Sequence, residues 1–249
     1  MLAIIGGTGL TSIDCFESAG CKSVITPYAD EPISISLFRV ADSSVAFLPR
    51  HGEGHKLVPH KINYRANIWA LKELNVTEII AVNAVGGIHE KLGPSCFAVP
   101  DQIIDYTWGR QGTYFEDNLE AVTHIDFTYP FDEPLRRRLI SSVCEIKAQA
   151  KPDFGFLDLG VYGCTQGPRL ETAAEIRKLQ QDGCDLVGMT AMPEAALARE
   201  LNIAYAMLAL SVNWGAGLSA GEISMDEIHK VLDEGMGIVA RVLANAAVS

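Results

Sequence analysis

Six short segments carry groups able to bind an anion or the edge of a heterocycle; five stand at the ends of predicted strands and the sixth, Glu171, stands at a predicted helix start. They are Gly6-Gly7-Thr8-Gly9, Arg50-His51, Asn83-Ala84, Glu171, Met189-Thr190 and Asn213. Arginine, histidine, hydroxyls and the amides of a glycine turn are the donors that a phosphate or similar oxyanion needs. An amide and a carboxylate suit the edge of a purine. Each signal alone is weak, but their sum predicts a site for a nucleoside and phosphate.

The first of these segments, Gly6-Gly7-Thr8-Gly9, follows the apolar residues 2–5. A glycine-rich turn after a strand lets backbone N–H groups approach an anion closely. The spacing matches neither the dinucleotide fingerprint nor the P-loop, because the later glycines and the Gly-Lys-Ser/Thr ending are missing. Anion binding and a plain turn are therefore equally open here.

Three histidines, His51, His55 and His60, lie close together and raise the hypothesis of a metal site. His51 and His55 are four apart, a spacing that suits zinc only if both lie on one helix. The glycines between them and the proline that follows favour a loop instead. We therefore expect no metal, and interpret Arg50 with His51 as a clamp for an oxyanion.

Glu171 stands where a buried strand gives way to a helical pattern. Gln166-Gly167-Pro168 turns the chain, and a helix is expected to open at Glu171-Thr172. A carboxylate in the first turn ordinarily complements the helix dipole, which is worth about 0.3–1 kcal/mol. Together with Asn213, however, Glu171 forms a set of donors and acceptors for a purine base, and the functional interpretation is favoured.

The chain alternates apolar strands with amphipathic helices, which is typical of an α/β protein. Strands are predicted at residues 2–5, 33–40, 45–48, 78–85, 97–106, 161–162, 185–188 and 203–212, and helices at residues 63–75, 134–147, 171–179, 193–200 and 224–246. Arg136, Arg137 and Arg138 are interpreted as solvated surface. With no internal repeat or linker, a single domain over residues 1–249 is expected.

The composition indicates which classes of binding partner and which cellular compartment to expect. A formal net charge of −11 disfavours nucleic acid and anionic membranes. Neither a signal peptide nor a membrane span is expected, because there is no basic leader and no run of about 20 apolar residues. The six cysteines, at positions 15, 21, 96, 144, 164 and 184, form no Cys-x-x-Cys pair, which favours reduced thiols in the cytoplasm.

At these segments the chain resembles the family of methylthioadenosine phosphorylases and trimeric purine nucleoside phosphorylases. The matching motifs extend over most of the chain and are Ile4-Ile5-Gly6-Gly7-Thr8-Gly9, Pro49-Arg50-His51-Gly52 with His55, residues 61–71, Asn83-Ala84, Gly167-Pro168-Arg169, and Gly188-Met189-Thr190 with Pro193-Glu194. The resemblance implies a central mixed β-sheet flanked by helices. It also implies a reversible exchange of purine nucleoside and phosphate for free purine and ribose 1-phosphate. No cofactor is implied besides phosphate as co-substrate, and a homotrimer with sites at the subunit interfaces is expected.

The resemblance assigns roles residue by residue. The implied phosphate contacts are Thr8, Arg50, His51, Ala84 and Thr190. The implied base contacts are Leu170, Glu171 and Asn213, and the implied catalytic residues are Asn213 and His51. The implied contacts to the ribose and its 5′ group are Met189, His55, Met225, Ile228 and His124, the last lent to a neighbouring subunit.

Three positions depart from the adenine-specific branch of the family. Asn213 and Gly215 stand where that branch has aspartates, and Glu171 stands where it has serine. Asparagine can donate to a 6-oxo group and accept from a protonated N7, while a carboxylate accepts from the N1–H of hypoxanthine. An unpaired buried group costs about 1–3 kcal/mol, so we expect a 6-oxopurine.

The 5′ pocket differs from that of the inosine branch. Met225 and Ile228 are apolar where that branch uses a histidine for the 5′-hydroxyl. Burial favours such surface by about 0.8 kcal/mol per CH₂-sized group, so a 5′-methylthio group is expected. A 6-oxopurine on this sugar is 5′-methylthioinosine, whose phosphorolysis is the predicted reaction.

Three alternatives stay open. Residues 171, 213 and 215 oppose a methylthioadenosine phosphorylase, and the 5′ lining opposes an inosine and guanosine phosphorylase. The third alternative is a non-catalytic purine or phosphate binder, or a nucleosidase that uses water. The number of oxyanion donors opposes both forms of the third alternative, because neither needs so many beside the sugar.

Overall fold

The computed structural model describes residues 1–10, 16–117, 121–150 and 153–248. The strands are β1 (Leu2–Gly6), β2 (Glu17–Val24), β3 (Ile33–Val40), β4 (Ser43–Pro49), β5 (Glu78–Gly87), β6 (Phe97–Ala98), β7 (Gln102–Asp105), β8 (Phe156–Leu157), β9 (Val161–Cys164), β10 (Leu186–Gly188) and β11 (Ala204–Trp214). The helices are α1 (Tyr64–Glu73), α2 (Glu133–Gln149), α3 (Ala173–Gln181), α4 (Ala191–Glu200, with non-helical Met192) and α5 (Met225–Val248), and a short 3-10 helix spans Pro59–Lys61.

These strands form one mixed sheet, whose middle is parallel. β1 pairs in parallel with β4 and β5, and β11 pairs in parallel with β5. The carboxyl ends of these four strands therefore meet at one edge of the sheet, where ligands of α/β proteins usually bind. β10 is antiparallel to β5 but pairs only with Gly86 and Gly87. The chain leaving β10 therefore runs back past the end of β5.

Helices cover both faces of the sheet. Along β1, Ala3 and Ile5 point into the core shared with α1 and α4, whereas Leu2 and Ile4 point into the core shared with α2 and α5. This alternation follows from the two-residue period of a strand. Both faces are buried, so the central strands read as continuous apolar runs. None of the described helices is long and apolar enough to cross a membrane.

The predicted fold class, an α/β fold with a mixed sheet flanked by helices, is confirmed. Two details differ from the sequence expectations. β2 was not predicted, because its residues are almost all exposed and show no apolar alternation. β11 continues to Trp214, so Asn213 lies inside the strand and its position is set by pairing with Gly86.

The interpretation of the three arginines of α2 as solvated surface is wrong for Arg136. Its side chain is buried and donates to the carbonyls of Pro100 at 2.9 Å and Asp158 at 2.7 Å. Both carbonyls lie outside the regular strands, where backbone acceptors need a donor other than a neighbouring strand. Arg136 therefore fastens α2 to the loops beneath it, while Arg137 remains exposed.

Candidate active site

A cavity of about 180 Å³ opens at the edge where the parallel strands end. Eleven of the thirteen residues to which the resemblance gives a role line it: Thr8, Arg50, His51, Ala84, Leu170, Glu171, Met189, Thr190, Asn213, Met225 and Ile228. They come from segments far apart in the chain. The sheet topology therefore brings together the oxyanion donors and the purine-binding groups that the sequence predicted.

The turn after β1 brings the backbone close to the buried arginine. A Cβ at Gly7 would stand 2.5 Å from the carbonyl oxygen of Val82 and 2.9 Å from Nη1 of Arg50. Gly9 adopts a φ of +85°, a conformation that glycine tolerates without strain. The turn thus requires glycine at both positions, and it places Thr8 between them at the cavity wall.

Arg50 is held by a bidentate ion pair. Its Nε donates to Oε2 of Glu194 at 2.6 Å and its Nη2 to Oε1 at 2.8 Å, with both side chains 1% exposed. Nη1 donates to the carbonyl of Val82 at 3.1 Å. Burial alone would lower the pKa of Arg50, but the Glu194 carboxylate outweighs it and raises the pKa above its ordinary value. A permanent cation therefore sits at the floor of the cavity.

Asn83 connects Arg50 to Thr190 through two hydrogen bonds of its side-chain amide. Its Oδ1 accepts from Nη2 of Arg50 at 3.3 Å, and its Nδ2 donates to Oγ1 of Thr190 at 2.7 Å. Because the threonine oxygen already accepts a hydrogen bond, its own proton is free to point elsewhere. Thr190 lines the cavity, where its hydroxyl can donate to an oxyanion.

His51 presents one ring nitrogen to its surroundings as an acceptor. Its Nδ1 lies 2.7 Å from the carbonyl oxygen of Leu57, so in the neutral ring Nδ1 is the donor and Nε2 carries the lone pair. Burial is the main reason that the pKa of His51 falls to about 4, against the opposing effect of the Leu57 bond and with a further lowering by Arg50. His51 is therefore neutral near pH 7.

His55 lies outside the cavity lining but beside it. Its ring centroid is 4.2 Å from that of His51, and its Nε2 is 3.5 Å from Oγ1 of Thr8. A positive φ of 54° at His55 confirms that this segment is a loop and not a helix. Across the described ranges of the chain, no group of three or more His, Cys, Asp or Glu side chains is placed to hold a metal ion.

Glu171 does not open a helix, which corrects the sequence expectation. Helix α3 begins at Ala173, and Thr172 is its N-cap in a reciprocal capping box with Glu175. Glu175 therefore serves the helix terminus, and Glu171 is left facing the cavity. Its Oε1 accepts from the hydroxyl of Thr165 at 2.6 Å. Burial raises the pKa of Glu171 above its ordinary value, and the Thr165 hydrogen bond opposes that rise.

Asn213 reaches the cavity from inside β11. Its Nδ2 donates to the carbonyl of Trp214 at 2.6 Å, which leaves one N–H and the amide oxygen for a ligand. The neighbouring Gly215 is tightly packed, since a Cβ there would lie 3.1 and 3.2 Å from two carbons of Ile176, which would have to shift by a few tenths of an ångström. A side chain at position 215, such as the aspartate of the adenine-specific branch, would therefore require Ile176 to move.

The remaining predicted residues differ in exposure and in whether they line the cavity. Leu170 and Met225 line it but are 40% and 55% exposed, while Ile228 is 7% exposed. Met189 packs against the turn at Gly167. A Cβ on Gly167 would stand 2.5 Å from the sulfur of Met189. His124 is exposed and does not line this cavity. Its contribution to a neighbouring subunit stays a prediction.

Sequence reasoning missed Arg110, which lies in the long loop between β7 and α2. Its Nη1 donates to the carbonyls of Met189 at 2.8 Å and Met192 at 2.6 Å. Its Nη2 donates to the carbonyl of Gln166 at 2.9 Å. Arg110 thereby joins the two loops that carry Met189 and Glu171. The unusual length of its loop was the one available signal, since such loops are often functional.

Comparison with known proteins agrees with this geometry. The Phosphorylase superfamily matches residues 2–247, and the chain belongs to that family. It is 54% identical over 242 residues to the probable S-methyl-5'-thioinosine phosphorylase of Pseudomonas syringae pv. tomato, covering 97% of this chain and 96% of that protein. It is 42% identical over 238 residues to the 6-oxopurine nucleoside phosphorylase of Pyrococcus furiosus, covering 94% and 86%.

Solved structures give the same family. Methylthioadenosine phosphorylase from Schistosoma mansoni in complex with adenine superimposes with a TM-score of 0.91 at 32% identity, covering 99% of this chain and 90% of that one. The resemblance that the sequence motifs indicated is thereby confirmed.

Proposed function

We propose that the protein cleaves the N-glycosidic bond of 5′-methylthioinosine with phosphate, giving hypoxanthine and 5-methylthioribose 1-phosphate. The observation that carries the proposal is that one cavity is lined by two chemically different groups of side chains. Arg50, His51 and Thr190 supply oxyanion groups, and Glu171 and Asn213 line the same cavity with groups that suit a purine. The relatives named as probable S-methyl-5'-thioinosine phosphorylases, at 44–54% identity, support the same reaction.

The base end suits a 6-oxopurine. The free N–H of Asn213 can donate to O6 while its amide oxygen accepts from N7–H, and Glu171 can accept from N1–H. Adenine offers a 6-amino donor and lacks N1–H, so it would leave buried groups unpaired. Leaving such a group unpaired costs about 1–3 kcal/mol. A site that pairs buried groups with one ligand discriminates against analogues that lack the matching group.

The 5′ end suits a thioether more than a hydroxyl. Met225, Ile228 and Leu170 line the cavity with apolar side chains. Each CH₂-sized group that leaves water for such surface gains about 0.8 kcal/mol. We place the 5′-methylthio group here, with His55 at its border and the ribose against Met189.

The mechanism that this arrangement supports is electrostatic and positional. Arg50, Thr8, Thr190, His51 and the backbone at Ala84 would hold phosphate beneath C1′ of the sugar, as positioned nucleophile and counter-charge to the developing oxocarbenium ion. Asn213 would stabilise the departing purine as N7 becomes protonated. The neutral His51, with Nε2 as acceptor, can take a hydrogen bond from a protonated phosphate oxygen. Phosphate is the co-substrate, and no other cofactor is included in the proposal.

We also propose an oligomeric state and a cellular location for the protein. The protein acts as a homotrimer in which His124 reaches the 5′ pocket of a neighbouring subunit. It works in the cytoplasm, in keeping with the free thiols of Cys21, Cys96, Cys144, Cys164 and Cys184. Light scattering on the eluting protein should give the mass of three 26.9 kDa chains. A monomer would remove the role of His124.

One assay tests the reaction. 5′-Methylthioinosine, 5′-methylthioadenosine and inosine are each incubated with the protein in the presence and absence of phosphate, and base release is followed. The expected result is phosphate-dependent cleavage, fastest for 5′-methylthioinosine. Cleavage of 5′-methylthioadenosine at least as fast would refute the 6-oxopurine argument. Faster cleavage of inosine would refute the 5′ argument, and cleavage without phosphate would refute phosphorolysis.

A further inference from the structure

Thr165 makes a short hydrogen bond to the carboxylate assigned to base recognition. Its Oγ1 lies 2.6 Å from Oε1 of Glu171 and 3.3 Å from the carbonyl oxygen of Gly188. The hydroxyl has a single proton, and the nearer, anionic acceptor forms the stronger bond. Thr165 therefore donates to Glu171 when that carboxylate is ionised.

The backbone fixes Thr165 independently of Glu171. Its N–H donates to the carbonyl of Gly188 at 2.8 Å, continuing the pairing of β9 with β10. Nη2 of Arg110 donates to the carbonyl of Thr165 at 3.3 Å and to that of Gln166 at 2.9 Å. The threonine hydroxyl is thus a rigidly mounted donor. Glu171, by contrast, lies in the connection between β9 and α3, outside any regular element.

We infer that Thr165 is a positioning residue for purine recognition, which fixes the Glu171 carboxylate by bonding Oε1 and leaves Oε2 to accept from the base. The inference rests on the proposed function, because it takes Glu171 to be the group that reads N1–H. Without the hydroxyl, a half-buried carboxylate would lose a charge-assisted bond and could rotate away from the base or take up a proton. Thr165 itself does not need to touch the substrate.

Two substitutions separate the hydroxyl from the shape of the side chain. Thr165→Val keeps the branched volume and removes the donor, whereas Thr165→Ser keeps the donor and removes a methyl group. We expect KM for 5′-methylthioinosine to rise about tenfold or more in Thr165→Val, from a lost bond to a charged group. KM for phosphate should change less than twofold, and Thr165→Ser should stay near wild type.

A double-mutant cycle with Glu171→Gln makes the test specific. If Thr165 acts through the carboxylate, Thr165→Val should have little further effect on nucleoside KM once Glu171 is glutamine. An equal effect of Thr165→Val in both backgrounds would overturn the inference. So would a Thr165→Ser variant as impaired as Thr165→Val, or a phosphate KM that rises with the nucleoside KM.

Binding measurements distinguish a failure of this inference from a failure of the proposed reaction. Calorimetric titration of 5′-methylthioinosine into phosphate-free protein reports base recognition without turnover. Weaker binding in Thr165→Val than in Thr165→Ser supports the inference even if the wild-type reaction proves not to be phosphorolysis. Equal binding in the two variants would overturn the inference while leaving the proposed reaction intact.

Discussion

Arg50 and Glu194 meet through two parallel hydrogen bonds, of 2.6 Å and 2.8 Å, with both side chains 1% exposed. They are 144 positions apart in the chain, so the pair joins the end of β4 to helix α4. Tyr205 adds a third bond, donating from its hydroxyl to Oε1 of Glu194 at 2.8 Å. The cation at the cavity floor is thus both neutralised and fixed in orientation before any ligand binds.

Glu194→Gln should destabilise the protein and weaken phosphate binding. Removing one partner of a buried ion pair leaves the other charge uncompensated and costs about 3–5 kcal/mol. Urea denaturation should show this loss, and KM for phosphate should rise about tenfold or more as Arg50 loses its fixed orientation. Glu116→Gln, at the more exposed Arg65 pair, is the matched control and should cost about 0–1 kcal/mol. Similar losses in both variants would contradict the role given to Glu194.

The role of the Thr190 hydroxyl as a donor to phosphate can be tested by substitution. Because Asn83 donates to Thr190, the threonine proton is available to phosphate. Thr190→Val removes that donor, and KM for phosphate should rise about 10- to 100-fold, as for a lost bond to a charged group. Thr190→Ser should remain within a few-fold of wild type.

Asn83→Asp tests the hydrogen bond that Asn83 donates to Thr190. A carboxylate cannot donate, so it would take the Thr190 proton for itself and bring negative charge towards the bound phosphate. Phosphate affinity should fall at least as far as in Thr190→Val, with nucleoside binding measured without phosphate much less affected. Unchanged phosphate affinity in Asn83→Asp would show that the orientation of Thr190 does not depend on Asn83.

Asn213→Asp should move base preference towards 6-aminopurines. An aspartate accepts from a 6-amino group but faces O6 without a donor, so the ratio of kcat/KM for 5′-methylthioadenosine to that for 5′-methylthioinosine should rise about tenfold or more. The variant also loses the bond from Nδ2 to the Trp214 carbonyl, so some loss of stability is expected. The ratio of two substrates on one variant is insensitive to that loss. A ratio equal to wild type would refute the role of Asn213.

Much of the site was predictable because the donors follow apolar strands, and parallel strands end at one edge. The predicted helix start at Glu171-Thr172 was wrong, because helix α3 begins at Ala173. The pattern Thr172-x-x-Glu175 is a capping box, and it would have put the N-cap at Thr172 and left Glu171 free. The true start of α3 is therefore encoded in the local sequence.

The hydrogen bonds that hold Arg50 and the surrounding loops in place could not have been predicted from the sequence alone. Glu194 and Asn83 reach Arg50 only after the sheet has formed, and Arg110 acts through its guanidinium on carbonyls of loops 55 to 82 positions away. Contacts of this kind carry no local periodicity or spacing. β2 was missed for a related reason, because an exposed edge strand shows none of the apolar alternation that marks a half-buried one.

His51 should make stability depend on pH in the mildly acidic range. The pKa of its buried imidazole is about 4, against an ordinary value of 6.5, so between these values the unfolded chain binds a proton that the native state does not. The free energy of unfolding should therefore fall as pH is lowered from about 6.5 to about 4. Urea denaturation across this range in phosphate-free buffer should show a shallower fall for His51→Gln than for wild type. His229→Gln, which removes an exposed histidine of α5, is the control and should keep the wild-type slope. An identical slope in His51→Gln would mean that the native state accepts a proton at His51 as readily as the unfolded chain does.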